Sequence, residues 1–142
     1  MFIRELLPSD YNAYFLLINE FRKTNFSEEE FINTLKLINI SSKIFVIENN
    51  GDLVATATIF YEKKFIYNLA TLAHIEDVCV KKEFRSLGFG KLIVQHCIEH
   101  AKLTDAYKVT LDCSEYNVPF YNKCGFEKRG YQLSILLKDT PS

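Results

Sequence analysis

Apolar residues recur at helical spacing in some stretches of the chain and alternate with polar ones in others. Tyr11, Tyr14, Phe15, Ile18 and Phe21 share one helical face behind Pro8-Ser9-Asp10, which supplies an N-cap, so a helix is predicted over residues 10–22. Ser27 and Glu30 form a capping box, with Phe26 and Phe31 placed as a hydrophobic staple, and a second helix is expected over 28–38. The stripe Phe89, Ile93, Cys97 and Ala101 predicts a third over 91–102. A short helix over 118–123 carries Pro119 in its first turn and ends at Gly125.

Strands are expected over residues 1–5, 43–48 and 53–61, the last two joined by Asn49-Asn50-Gly51-Asp52, where Asn and Gly accept positive φ. Glu62-Lys63-Lys64 reads as a polar turn, and residues 65–72 as strand or loop. Residues 74–80 lose polar alternation in their second half, as a strand buried on both faces does. Residues 107–112 alternate cleanly, and Tyr131, Leu133, Ile135 and Leu137 alternate as a last strand. The order β-α-α-β-β-β-α-β-α-β implies an α/β (α+β) fold whose mixed sheet contains a parallel pair, with ligands at the carboxyl ends of the strands.

Length and composition narrow the function. A chain of 142 residues is expected to form one domain over 1–142, and 48% apolar residues, 14% of the chain being aromatic, fill a core. A net charge of −1 argues against nucleic acid as a partner but leaves room for a local basic pocket. Neither a membrane span nor a signal peptide is apparent, so a cytoplasmic protein is expected. The four cysteines lack metal-site spacing and the three histidines do not complete a site, so no metal is expected. Cys79, Cys97 and Cys113 read as reduced core residues, with Cys124 beside a candidate site. His74 reads as a structural hydrogen-bonding residue, and His96 and His100 as exposed helix positions.

The chemistry gathers at Arg85-Ser86-Leu87-Gly88-Phe89-Gly90, between a strand and a helix. A glycine loop opening a helix offers backbone N–H groups and the positive end of the helix dipole to a diphosphate. Arg85-x-x-Gly88-x-Gly90 resembles the pyrophosphate loop of the GNAT superfamily of acetyl-CoA-dependent N-acetyltransferases. Within it, the runs at 74–78, 90–92, 107–108 and 111–113, with Asn117-Val118-Pro119-Phe120-Tyr121-Asn122-Lys123-Cys124-Gly125-Phe126, resemble the glucosamine-6-phosphate N-acetyltransferase family. The strong similarity covers residues 73–131, and the first 70 residues match in layout. Ala73 stands where the family has Gly, the segment before Lys43 is shorter than in fungal members, and Leu136-Leu137-Lys138 lacks the family's phosphate-binding arginine.

The resemblance implies a GNAT fold, a mostly antiparallel central sheet flanked by helices, with a splayed parallel pair at the acetyl-CoA site. It implies acetyl-CoA as co-substrate and D-glucosamine 6-phosphate as acceptor, feeding UDP-N-acetylglucosamine synthesis. A homodimer sharing its active sites through the last strand is implied too. The backbone of Arg85, Ser86, Leu87, Gly88, Phe89 and Gly90 would hold pyrophosphate, with the Arg85 guanidinium as counter-charge. The main chain of Val78, Cys79 and Val80 would pair with pantetheine, and the Val78 N–H would donate to the thioester oxygen. Tyr121, next to Phe120, is the expected general acid to the thiolate. Asn117 would contact the pantetheine arm and Lys123 the cofactor phosphate.

On the substrate side, Glu76 and Asp77 are consecutive strand residues that should face opposite ways, with Glu76 chosen for the sugar and Asp77 as a further contact. Asp112 would position the amine or take its proton, and the base stays open between Glu76, Asp112 and water. Lys64, Lys108 and Lys138, with Arg22, are candidate phosphate ligands. Two other readings remain: a GNAT enzyme acting on a different amine, and a non-catalytic acyl-CoA-binding sensor.

Overall fold

The computed structural model describes residues 1–139. Its sheet has five strands in the order β1 (Phe2–Glu5), β2 (Ser42–Asn49), β3 (Asp52–Lys63), β4 (Thr71–Val80) and β5 (Lys108–Thr110). The first four pair antiparallel, and β4 and β5 pair parallel. Helix α1 (Tyr11–Phe21) and α2 (Glu28–Ile38) cover one face of the sheet. Helix α3 (Phe89–Leu103) covers the other, and α4 (Val118–Lys123) follows a 3-10 turn at Glu115–Asn117.

The two faces bury separate cores. Ile47, Ile59, Ala73 and Ile75 meet Ile93, Val94, Cys97 and Ala101 of α3, while Ile44, Val46 and Leu53 meet Leu17, Phe31 and Leu35. The expected α3 stripe is therefore the buried one. The expected staple closes α2, with the rings of Phe26 and Phe31 stacked at 6.0 Å. Its capping box is complete, Ser27 Oγ accepting from Glu30 N–H at 3.1 Å and Glu30 Oε1 from Ser27 N–H at 2.8 Å.

Several expectations are corrected. Asp10 does not cap α1: its carboxylate accepts from Leu7 N–H at 2.7 Å and takes both Arg4 terminal nitrogens, at 2.7 and 2.9 Å. Arg4 also reaches Glu48 on β2, so the first turn is bolted to the sheet instead. Glu62 and Lys63 are not a turn but the end of β3. The uncertain 65–72 stretch divides into a turn at Ile66–Leu69, with Tyr67, Asn68 and Leu69 at φ 52°, 56° and 62°, and the start of β4 at Thr71. Strand β5 is shorter than expected and ends before Asp112.

His96 and His100 are half-buried rather than exposed. Both rings pack edge-on against Phe45, at 4.5 and 5.1 Å, and His100 Nδ1 shares a hydrogen bond with the Tyr61 hydroxyl. Their helix carries a buried stripe wider than the one residue per turn that the sequence suggested. Cys79 and Cys97 are buried as expected, but Cys113 is exposed.

The largest correction is at the end of the chain. Residues 131–137 form no strand with the rest of the chain. They are exposed, with Leu133 at 93% of its full accessibility and Ile135 at 82%. Their alternation is real, but in one copy of the chain nothing among the described residues receives the apolar side.

Candidate active site

Strands β4 and β5 make only three paired positions, from Leu72–Lys108 to His74–Thr110. Beyond them the strands separate, and one backbone edge of residues 75–80 lines the gap. A break in strand register sits at the same place. Thr58 of β3 pairs with Glu76 and Thr56 with Cys79, so Asp77 and Val78 lie opposite a single β3 residue in a bulge. Asp77 takes the left-handed conformation there, at φ 51°.

The bulge changes which way everything after it points. Ile75 packs into the α3 core, and ordinary alternation would send Cys79 there too. Instead Cys79 joins the α1–α2 core, and Val78 and Val80 join the α3 side. Glu76 and Asp77, expected to face apart, are both exposed at the bulge. The Glu76 carboxyl is held above its ordinary range, first by burial, then by Asp77 and by Asp112, while His74 pulls the other way. Asp112 lies in the loop after β5 and accepts from Gln132 Nε2 at 3.2 Å.

The glycine loop follows β4. Ser86 and Gly88 take positive φ, 66° and 90°, and Gly88 is the residue before α3. The first helical bond runs from Leu92 N–H to Gly88 O, so the preceding N–H groups have no helical acceptor and point out of the helix end. A phosphate suits that arrangement. Arg85 stays exposed and donates from Nε to Val80 O at 3.2 Å, which ties the loop to the strand end. Gly90 sits in a tight contact: a Cβ would lie 3.2 Å from Phe120 and 3.5 Å from Val80. Leu87 and Phe89 flank the turn, exposed and half-buried respectively.

Helix α4 carries Tyr121 half-buried between Phe120 and Phe126, both edge-on at 4.9 and 6.0 Å. Burial first, then neighbouring Cys113 and Cys124, push its phenol up to about 12. It therefore holds its proton across the physiological range. Asn117 precedes α4 and makes no side-chain cap, so its amide is available to a ligand. Lys123 is exposed at the end of the helix.

A groove of about 850 Å³ runs between β5 and residues 127–132, and Asp112, Cys113 and Tyr121 lie along it with Lys108, Lys128 and Arg129. The last two cations were not singled out from the sequence, although Lys128-Arg129 before Gly130 is a visible basic pair. Of the four expected phosphate ligands, Lys108 sits on β5 in this groove. Lys64 is paired with Glu62 at 3.2 Å, Lys138 lies on the exposed tail, and the Arg22 guanidinium stacks on Phe21. His74 Nε2 donates to the Glu62 carboxylate at 3.0 Å, the structural role expected for it. Among the described residues no group of three or more His, Cys, Asp or Glu side chains is placed to hold a metal ion.

The acetyltransferase (GNAT) family model matches residues 3–126. This chain belongs to the GNAT family. The glucosamine 6-phosphate N-acetyltransferase of Arabidopsis thaliana is 37% identical over 139 residues, covering 93% of each chain. Glucosamine 6-phosphate N-acetyltransferase 1 of Dictyostelium discoideum is 34% identical over 134 residues, covering 91% of this chain and 85% of its own. The crystal structure of the Arabidopsis enzyme superposes with a TM-score of 0.92 at 35% identity, over 96% of this chain and 98% of that one. The expected GNAT architecture, with its parallel pair opening at one end, is the architecture observed.

Proposed function

We propose that this GNAT protein is a glucosamine 6-phosphate N-acetyltransferase, moving acetyl from acetyl-CoA to the sugar amine to give N-acetyl-D-glucosamine 6-phosphate and CoA. The observation that carries the reading is the opening between β4 and β5, with bulged Val78 on one strand and Tyr121 beyond the other. The similarity to the Arabidopsis and Dictyostelium enzymes, over nearly the whole chain, supports this substrate over another amine.

The chain acts as one domain. Residues 85–90 take the pyrophosphate, and the backbone of Val78, Cys79 and Val80 takes the pantetheine as an added strand. Asn117 and Lys123 complete the cofactor contacts. Glu76 or Asp112 accepts a proton from the substrate ammonium, directly or through water. The freed amine attacks the thioester carbon while the Val78 N–H stabilises the oxygen. The C–S bond then breaks, Tyr121 gives its proton to the CoA thiolate, and the second proton leaving the new amide nitrogen restores the phenol. Lys64, Lys108 and Lys138 serve the sugar phosphate, and Asp77 adds a contact to the sugar, through its backbone as well.

Two features that fit each other support a homodimer with shared sites: the unpaired edge of β5 and the exposed apolar alternation of residues 131–137. The four free cysteines suit a reducing, cytoplasmic setting. The test is thiol release from acetyl-CoA with glucosamine 6-phosphate or glucosamine. Strong preference for the phosphorylated sugar is expected. Release with neither sugar overturns the substrate assignment, and tight CoA binding without release for any amine favours a sensor.

A further inference from the structure

Between β4 and the glycine loop lies a turn that its own sequence does not close. Residues Lys82–Phe84 form a single 3-10 turn with Lys81 at the N-cap position. A cap has to accept a hydrogen bond, as Ser, Asn and Asp do, and a lysine ammonium only donates. Lys81 accordingly makes no side-chain cap, and its own backbone N–H is spent on Val54 O at 2.7 Å. The N–H of Lys82 opens the turn and finds no acceptor inside it.

The acceptor comes from 62 residues away in sequence: Glu20 Oε1 takes the Lys82 N–H at 2.7 Å. Glu20 is exposed in the last turn of α1, where the helix dipole disfavours an acid and no basic side chain offsets it. Its carboxylate is therefore matched to the neighbouring turn rather than to its own helix. A second tie lies one turn back on α1, where Cys79 Sγ donates to Leu17 O at 3.8 Å. Together they fix the end of α1 to the last residues of β4 and to the turn that follows. Past that turn, Arg85 N–H bonds Lys82 O at 3.3 Å and Arg85 Nε bonds Val80 O. Lys82 is thus gripped by Glu20 through its N–H and grips the first residue of the glycine loop through its carbonyl. Glu20, Lys82, Glu83 and Arg85 line a hollow of about 810 Å³ beside that loop.

We infer that Glu20 is a positioning residue for the cofactor: by capping the turn at Lys82 it sets the pose of Arg85–Gly90 toward the pyrophosphate. This rests on the cofactor reading of that loop given above. Glu20 acts through the Lys82 amide and not by contact with acetyl-CoA. The sign of its effect separates this role from mere proximity. A carboxylate that only sits near an anion site repels the anion, so removing it tightens binding. A carboxylate that holds the anion site in shape does the reverse, and removing it weakens binding.

The test is calorimetric titration of CoA into the full chain. Glu20→Ala is expected to weaken CoA binding by about fivefold or more. Glu20→Gln keeps an oxygen that can accept from Lys82 and is expected to stay within about twofold of wild type. Hydrogen exchange at the Lys82 amide, followed without ligand, quickens in Glu20→Ala and recovers in Glu20→Gln. In turnover the loss appears in KM for acetyl-CoA and not in kcat. Unchanged or tighter CoA binding by Glu20→Ala overturns the inference, even if its urea midpoint falls. A Glu20→Gln variant as weak as Glu20→Ala overturns it too, since charge and not the hydrogen bond would then be what matters. Glu20→Ser, too short to reach Lys82, decides in the same way if the Ala variant does not fold. A wild-type chain that fails to bind CoA overturns the cofactor reading and the inference with it, whereas wild-type binding that Glu20→Ala leaves intact overturns the inference alone.

Discussion

Residues 1–106 and residues 107–139 are built to different standards. The first region holds every buried apolar side chain of the described chain, ending with Ala101, and its two cores are closed on both faces of the sheet. The second region holds Asp112, Asn117 and Tyr121, yet its best-covered residues are only half-buried, and Tyr116, Tyr131, Leu133 and Leu137 stand in the open. The amino-terminal region is a scaffold that a single chain can finish. The carboxy-terminal region leaves its apolar side chains uncovered, and cofactor and second subunit are their proposed occupants. A transferase would gain from that division: the scaffold fixes β4 and the glycine turn, while the part carrying Tyr121, the proposed acid, stays open to substrate traffic.

The contrast can be broken most sharply by chemistry at Tyr121. Tyr121→Phe removes a proton donor and little packing. Turnover is expected to fall by about 10²–10⁴-fold, with KM for acetyl-CoA little changed in the thiol-release assay. Equal losses in both would make Tyr121 a packing residue like those of the scaffold. Next comes stability. Ile59→Ala opens a cavity in a fully buried site and is expected to cost about 2–5 kcal/mol in urea unfolding. Leu133→Ala, in chain kept monomeric by dilution, should cost less than about 0.5 kcal/mol. A large loss for Leu133→Ala under those conditions would mean that the tail folds onto its own chain.

A third change acts at the seam between the regions. Gly90→Ala pushes a methyl group against Phe120, which a few tenths of an ångström of movement must absorb. An overpacking cost of about 1–3 kcal/mol is expected, and a rise in KM for acetyl-CoA, measured by turnover, should accompany it. The smallest effect is on pH. Burial holds His96 and His100 below their ordinary range, with His100 adding to the shift of His96, and Glu5 and Lys43 acting in opposite senses on His100. Both histidines are therefore neutral in the fold at pH values where the unfolded chain already binds protons. Stability should fall as pH drops from about 6.5 toward their folded values. Urea midpoints at neutral and mildly acidic pH check this, and His100→Gln should reduce the slope.

The scaffold was largely legible in the sequence because its signals are local. Ser27 with Glu30, Phe26 with Phe31, Asn50 with Gly51 and the stripe from Ile93 to Ala101 each specify a cap, staple, turn or face within a few residues. The glycine turn that opens α3 was legible for the same reason. What escaped depends on contacts distant in sequence. The alternation of residues 131–137 records a strand surface but not the partner edge that would use it. His96 and His100 look polar on a helical wheel, and only the arrival of Phe45 from β2 covers them. Lys64 is free in sequence and ion-paired in space. The bulge at Asp77 left a faint trace, since Ala73 and Ile75 are followed by Val78 and Val80 on the α3 side, but a periodicity search absorbs such a slip as a run of apolar residues.

The slip at Asp77 behaves like a frameshift in the strand. Every position before it is read in one frame, with odd-numbered residues toward α3, and every position after it in the other. Deleting Asp77 would restore regular alternation and leave Val78, Cys79 and Val80 on the faces they now occupy. Both hydrophobic cores would keep their own side chains, and only the local distortion of the strand would be lost. The extra residue therefore belongs to the opening rather than to either core.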